Sequence, residues 1–158
     1  MLRHYTVSAI VLHNDRVLLI EHRKSGTVLP PGGHINPGED PVHALLREVR
    51  EEVGIDVEVF AEERFRHPRV DVIAPPFTIL IIDGVPDPAV GPHANIDLVY
   101  VCRPITSEVT VAPDEVNGYR WVPLGDVATA STAPEIPDLV RAAADYAARF
   151  PSSAGGRA

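Results

Sequence analysis

A chain of 158 residues, 45% hydrophobic and 23% charged, is large enough for one domain with a continuous core and has the balance of an ordinary globular protein. A formal net charge of −8 argues against non-specific binding to nucleic acid or to an anionic membrane, and one cysteine, Cys102, excludes an intrachain disulfide and a cysteine-based zinc site. No apolar run reaches the ~18 residues of a membrane span, and the N-terminus enters a strand-like pattern with no apolar leader, so a cytoplasmic, soluble chain is expected.

In chain order, Tyr5 to Leu12 reads as a strand, Asn14-Asp15 as a turn and Arg16 to Glu21 as the returning strand. The hairpin ends in a basic cluster, His22-Arg23-Lys24. A Pro- and Gly-rich loop follows, then a helix opening at Asp40-Pro41 and closing at Gly54. Ile55 to Glu63 alternates as a half-buried strand, and Arg64 to Pro76 is ambiguous between a strand and a loop over the site. Phe77 to Asp83 reads as a buried strand, Gly84 to His93 as a surface loop, Asn95 to Arg103 as a strand and Gly118 to Val122 as a short one. Pro123 to Val127 opens a brief helical turn, and Pro134 to Phe150 repeats apolar residues at helical spacing. Residues 151–158 are small and polar and are expected to fray. This order fits a mixed sheet between two helices, an α/β/α sandwich.

The densest signal is Gly33 to Ile55, GHINPGEDPVHALLREVREEVGI. Asp40 is a good N-cap, Pro41 suits the first helical position and Gly54 is a left-handed stop. Between them Val42, Leu45, Leu46, Val49 and Val53 form one core-facing stripe. Glu48, Glu51 and Glu52 fall at i, i+3 and i+4, so their Cβ atoms share a face within about 5–6 Å. At about 100° per residue they centre roughly 115° from the apolar stripe, at the edge of the buried face and within reach of water. Three like charges repel, and grouping them points to a held cation rather than a solvated surface. Arg47 is placed to pair with Glu51. Ahead of the helix, Leu29-Pro30-Pro31-Gly32-Gly33 and Pro37-Gly38 predict a stiff loop whose backbone approaches something closely, with Glu39 facing the helix start. Together they read as a loop–helix metal cradle.

This stretch resembles the Nudix box, Gly-x5-Glu-x7-Arg-Glu-U-x-Glu-Glu-x-Gly-U with U aliphatic. Every position is met, by Gly33, Glu39, Arg47, Glu48, Val49, Glu51, Glu52, Gly54 and Ile55. Seven fixed identities coincide by chance at a given start on the order of 10⁻⁸. The resemblance implies a MutT-like Nudix hydrolase domain over residues 1–150, with the family's α/β/α sandwich. It also implies water attack at phosphorus in a nucleoside diphosphate linked to another moiety, such as a nucleoside triphosphate, ADP-ribose or a nucleotide sugar. By the same resemblance Glu48, Glu51 and Glu52 are metal ligands, with a backbone carbonyl from Gly32, while Glu39 and Arg47 hold loop and helix in register. The general base is Glu48 in some members and a later glutamate in others. The later candidate here is Glu115, six residues before Trp121, and the two rank equally.

Carboxylates without cysteine or convergent histidine suit a hard cation, Mg²⁺ or Mn²⁺. A basic residue at the end of the hairpin contacts substrate phosphate in the family, and Arg23 is chosen over Lys24. The alternative is a polar strand end. His93, Asn95 and Asp97 alternate onto one face, either lining the pocket near the substrate base or sugar or forming a polar strand edge. His34 faces phosphate or solvent, Tyr119 and Trp121 read as core, and His67 has no clear partner. Pro68 and Pro75-Pro76 lie where ADP-ribose hydrolases carry a marker proline, but their spacing does not match. Two other readings use the same fold. One is a catalytically silent nucleotide sensor, which such a complete box disfavours. The other is an isoprenoid diphosphate isomerase, which needs a working cysteine where this chain has Cys102 in an apolar strand. The partner expected is a small-molecule nucleotide, with no nucleic acid and no membrane; a homodimer is compatible with the fold.

Overall fold

The computed structural model describes residues 3–23, 26–85, 89, 91–106, 108–114 and 116–151. Two long strands, β1 (Arg3–His13) and β7 (His93–Pro104), form its centre. They run parallel in an unbroken register from Arg3↔Ala94 to Val11↔Cys102. The other pairings between these strands are antiparallel, so the sheet is mixed. On the free edge of β1 lies the three-residue β4 (Gly32–His34), with Thr6 opposite His34 and Val7 opposite Gly33. At its far end β1 turns through Asn14 and Asp15, both at positive φ, into β2 (Arg16–His22). β2 in turn pairs with β3 (Val28–Leu29) and β8 (Val116–Pro123).

The free edge of β7 is shared. β5 (Val57–Phe60) takes it up to Phe60↔Val101, and β6 (Thr78–Val85) takes it from Thr78↔Val99 onward. This sharing explains why the strand expected over Ile55–Glu63 is only four residues long: beyond Phe60 its partner edge belongs to β6. Arg64 to Pro76 runs outside the sheet as an exposed connection with a single isolated bridge, His67↔Val70.

One helix covers each face. On one side α1 (Pro41–Val53) packs Leu45, Val49 and Val53 against Val7, Ala9 and Val11 of β1 and Leu18 and Ile20 of β2. On the other, α2 (Ile136–Ala147) packs Val140 and Ala143 against Ile10, Val17, Leu19, Val99 and Val101. A short 3₁₀ turn at Leu124–Thr129 precedes it. The strict alternation of β1 and β2 supplies both cores from the same strands. Each fully buried Val or Leu contributes about 1.5–3 kcal/mol. The α/β/α sandwich is therefore the observed architecture.

The expected buried strand is half exposed instead. In β6, Ile79 and Ile81 are 57% and 60% exposed. They extend the α1-side face past the end of α1's coverage, so only their alternating neighbours Leu80 and Ile82 are sheltered. Among the described residues, no helix is long and apolar enough to cross a membrane. Lys24, Glu115 and residues 152–158 lie outside the described residues, so the roles expected of Lys24 and Glu115 and the fraying of the tail are not addressed by the structure.

Candidate active site

α1 starts and stops as its sequence dictates. The Asp40 carboxylate accepts from the backbone N–H groups of Val42 (2.9 Å) and His43 (3.0 Å), and it also holds the His43 ring. Gly54 closes the helix at φ 67°, its N–H donating to Arg50 O. The helix is thereby fixed in length and phase, with Glu48 and Glu52 turned toward β4.

β4 comes unusually close to that helix. An added Cβ on Gly33 would sit 2.4 Å from Glu48 Cδ, and one on Gly32 would sit 2.1 Å from Val7 O. Gly32 is therefore closed to any side chain by the neighbouring strand, and Gly33 admits one only if the Glu48 carboxylate moves. The Gly32 N–H donates to Glu52 Oε2 at 2.9 Å, and Glu52 is only 5% exposed.

Arg47 is the hub that holds loop and helix together. Its Nε and Nη2 clamp Glu39 in a bidentate pair, both at 2.9 Å. Nη1 donates to Glu48 (2.7 Å) and Glu51 (3.1 Å), and Nη2 also donates to His34 O (3.0 Å). Glu39 accepts in addition from the Asn36 N–H. The Arg47 bond holds the Glu39 carboxyl below the usual carboxylate range. Conversely, Glu39 first and Glu48 next hold the Arg47 proton even more firmly than usual. Three carboxylates, from Glu39, Glu48 and Glu51, thus surround one guanidinium, with Glu52 close by on the Gly32 N–H, which leaves the site negative.

Glu48, Glu52, Gly32, Gly33, His34, His22 and Asp114 line a cleft of about 250 Å³. Of the residues expected from sequence, the structure brings Gly32, Arg47, Glu48, Glu51 and Glu52 together. Glu51 sits at the rim, half exposed, with Arg47. Arg23 lies beside the cleft: its Nη1 donates to Pro113 O, next to Asp114. His22 and Asp114 were not singled out from sequence. Alternation was the available signal for His22, since Leu18 and Ile20 of the same strand face α1.

His93 and Asp97 do not join the glutamates. By the alternation of β7 they share the α2-side face with Val99 and Val101, and both are buried. Asp97 accepts from Thr6 Oγ1 at 2.7 Å. Burial pushes its carboxyl above the usual range, against the bonds from Thr6 and Ser8.

A NUDIX-domain family profile matches residues 2–143. The chain belongs to the NUDIX family. It is 32% identical to a human 8-oxo-dGDP phosphatase over 149 residues, 90% of this chain and 39% of that protein. It is 31% identical to an isopentenyl-diphosphate Δ-isomerase of Cereibacter sphaeroides over 136 residues, 80% of this chain and 67% of the isomerase. Among solved structures, a NUDIX-family hydrolase from Clostridium perfringens superposes with a TM-score of 0.79 at 28% identity, covering 92% of this chain and 98% of that one. The chain spans 29–39% of the length of the first three curated relatives it matches.

The glycine pair gives a direct test of the site geometry. Gly33→Ala is expected to fold, because the group its Cβ meets is a side-chain terminus that can move. The Glu48 carboxylate must then leave its place, and turnover is expected to fall at least roughly tenfold, as misplacing a catalytic group by an ångström does. Steady-state rates beside a circular dichroism spectrum check this; an unchanged rate would show that Glu48's position is immaterial.

Proposed function

We propose that this domain is a pyrophosphohydrolase, splitting a nucleoside diphosphate linked to another moiety by attack of water at phosphorus with Mg²⁺ or Mn²⁺. The observation that carries this reading is the acidic cleft in which Glu48 and Glu52 converge on the backbone of Gly32 and Gly33. The donor set fits a hard cation: carboxylate oxygens from one helix face, close backbone, and net negative charge. Glu48, Glu51 and Glu52 would hold the cation, with backbone oxygen from the Gly32–Gly33 strand. Such a cation draws a diphosphate to an anionic cleft, polarises its phosphorus and acidifies water.

The remaining work falls to the protein. Arg47 keeps Glu48 and Glu51 in place from the side away from the cleft. Glu48 is the described residue best placed to take a proton from the attacking water. Glu115 stays an equal candidate by resemblance, and Asp114 beside it supports the view that its loop reaches the cleft. Arg23 and His22 flank the mouth, where a substrate phosphate would enter. A nucleotide substrate is supported by likeness to a relative named for 8-oxo-dGDP.

Likeness to an isomerase favours a second reading, in which the same fold moves a proton on an isoprenoid diphosphate. The chain's one cysteine argues against it. Cys102 is 0% exposed within the α1-side core, and burial pushes its thiol far above its usual range. A thiol so placed neither ionises readily nor meets substrate.

The test is phosphate-product release from nucleoside triphosphates, ADP-ribose, nucleotide sugars and dinucleoside polyphosphates, with Mg²⁺, with Mn²⁺ and with chelator. Metal-dependent cleavage of one class, retained within about twofold by Cys102→Ala, is expected. No cleavage across the panel with tight nucleotide binding would establish the sensor reading instead. Conversion of isopentenyl diphosphate without phosphate release, lost in a folded Cys102→Ala protein, would favour the isomerase.

A further inference from the structure

We infer that His4, His34 and His93 form a second cation site, with a donor set distinct from the glutamates and suited to a borderline transition metal such as Zn²⁺. The three residues come from β1, β4 and β7, and one ring nitrogen of each lies within 4.8 Å of the other two. His4 Nδ1 is 3.2 Å from His34 Nε2, and the His4 and His93 rings are 4.5 Å apart between centroids.

The state of His93 points to a ligand. The residue is 2% exposed. Its Nδ1 lies 3.2 Å from Gly91 O, a group that only accepts, so Nδ1 carries the proton. Nε2 is then a bare lone pair, buried and with no hydrogen-bond partner among the described residues. A backbone carbonyl fixing one ring nitrogen so that the other is free to bind is the usual arrangement behind a metal-ligating histidine.

Three imidazoles select a different ion from three carboxylates. They suit Zn²⁺, Cu²⁺, Ni²⁺ or Co²⁺, while Mg²⁺ prefers oxygen. Tetrahedral Zn²⁺ needs nitrogens about 3.4 Å apart, inside the 4.8 Å that bounds their separation here. His34 is exposed and His4 half-buried, so both rings can close in on the fixed His93 while a fourth position stays open to water.

His34 borders the glutamate cleft, and strand alternation sets the two donor sets on opposite faces of β4. Gly33 faces Glu48, so its neighbour His34 projects to the opposite side of β4, level with Thr6. A metal on the histidines would therefore tie β4 to β1 and β7 from behind, bracing the strand whose front forms the cleft.

The test uses the full chain, stripped of metal and titrated with Zn²⁺ by calorimetry and with Co²⁺ by visible absorption. One Zn²⁺ and the absorption of nitrogen-ligated Co²⁺ are expected, both retained by Glu52→Gln. His34→Ala, at an exposed position that keeps the fold, is expected to weaken Zn²⁺ at least roughly tenfold and to abolish the Co²⁺ spectrum. His4→Gln should do the same, and with excess Mg²⁺ present to fill the carboxylates Zn²⁺ should raise the melting temperature of Glu52→Gln but not of His34→Ala. Binding lost in Glu52→Gln and kept in His34→Ala would overturn the inference by placing the metal on the carboxylates. Failure of Zn²⁺ to bind the wild-type chain would also overturn it.

Discussion

Glu52→Gln is expected to lower turnover by at least roughly a hundredfold and to leave the fold intact. Two facts separate activity from stability here. Glu52 is 5% exposed, so its charge acts in a sheltered cleft where a metal-held carboxylate is worth several kcal/mol to a phosphoryl transition state. A loss of about 2.7 kcal/mol is already a hundredfold in rate. Structurally, glutamine has the same shape and keeps a carbonyl oxygen for the Gly32 N–H, now 2.9 Å from the carboxylate. The backbone of residue 52 still accepts from the Ala112 N–H. Removing one of two like charges at i and i+4 relieves a few tenths of a kcal/mol of repulsion with Glu48, so the melting temperature should stay or rise slightly. Rates with saturating Mg²⁺ beside a thermal melt decide it. A folded variant with turnover within threefold of wild type would remove Glu52 from the metal site.

How far the sequence could be read depended on whether a feature was local. α1 was legible to the residue because its cap, its proline, its apolar stripe and its terminal glycine all act within one stretch. The clamp of Arg47 on Glu39 lies within the box and was legible in the same way. β6 was misjudged because FTILIID is apolar throughout, and whether Ile79 and Ile81 are covered depends on how far α1 reaches across the sheet, which no local pattern encodes. The end of β5 depended on β6, a strand that returns to the same edge of β7 many residues later. The histidine cluster was least accessible. In sequence His34 faces either phosphate or solvent, His93 lies either on a substrate pocket or on a polar strand edge, and His4 carries no signal. Only the pairing of β1 with both β4 and β7 brings them together. The sequence shows no convergent histidines, whereas the fold brings His4, His34 and His93 together and sets His22 and His34 at the glutamate cleft.

Arg47→Ala is expected to lose about 2–3 kcal/mol of stability, between the small value of an exposed pair and the larger cost of stranding buried charges. For a domain of this size that is a fall of about 5–10 °C in melting temperature. The loss is large because one guanidinium serves Glu39, Glu48 and Glu51 as well as His34 O, and its removal leaves those carboxylates repelling one another beside Glu52. Arg47→Lys should fall between, since an ammonium cannot clamp Glu39 with two parallel bonds while reaching the rest. Salt and divalent cation should each recover part of the loss in the alanine variant, the first by screening and the second by binding the stranded carboxylates. The pH dependence has a definite sign. The Glu39 carboxyl titrates below its usual range in the folded state, so its contribution is present at neutral pH and is lost as pH falls through that lowered value. The gap between wild type and Arg47→Ala should therefore narrow in acid, and melts across a pH series would show it. Equal melting temperatures at neutral pH would mean that the helix caps and the core alone hold the loop against α1, and that the arginine of the box serves the reaction without serving the fold.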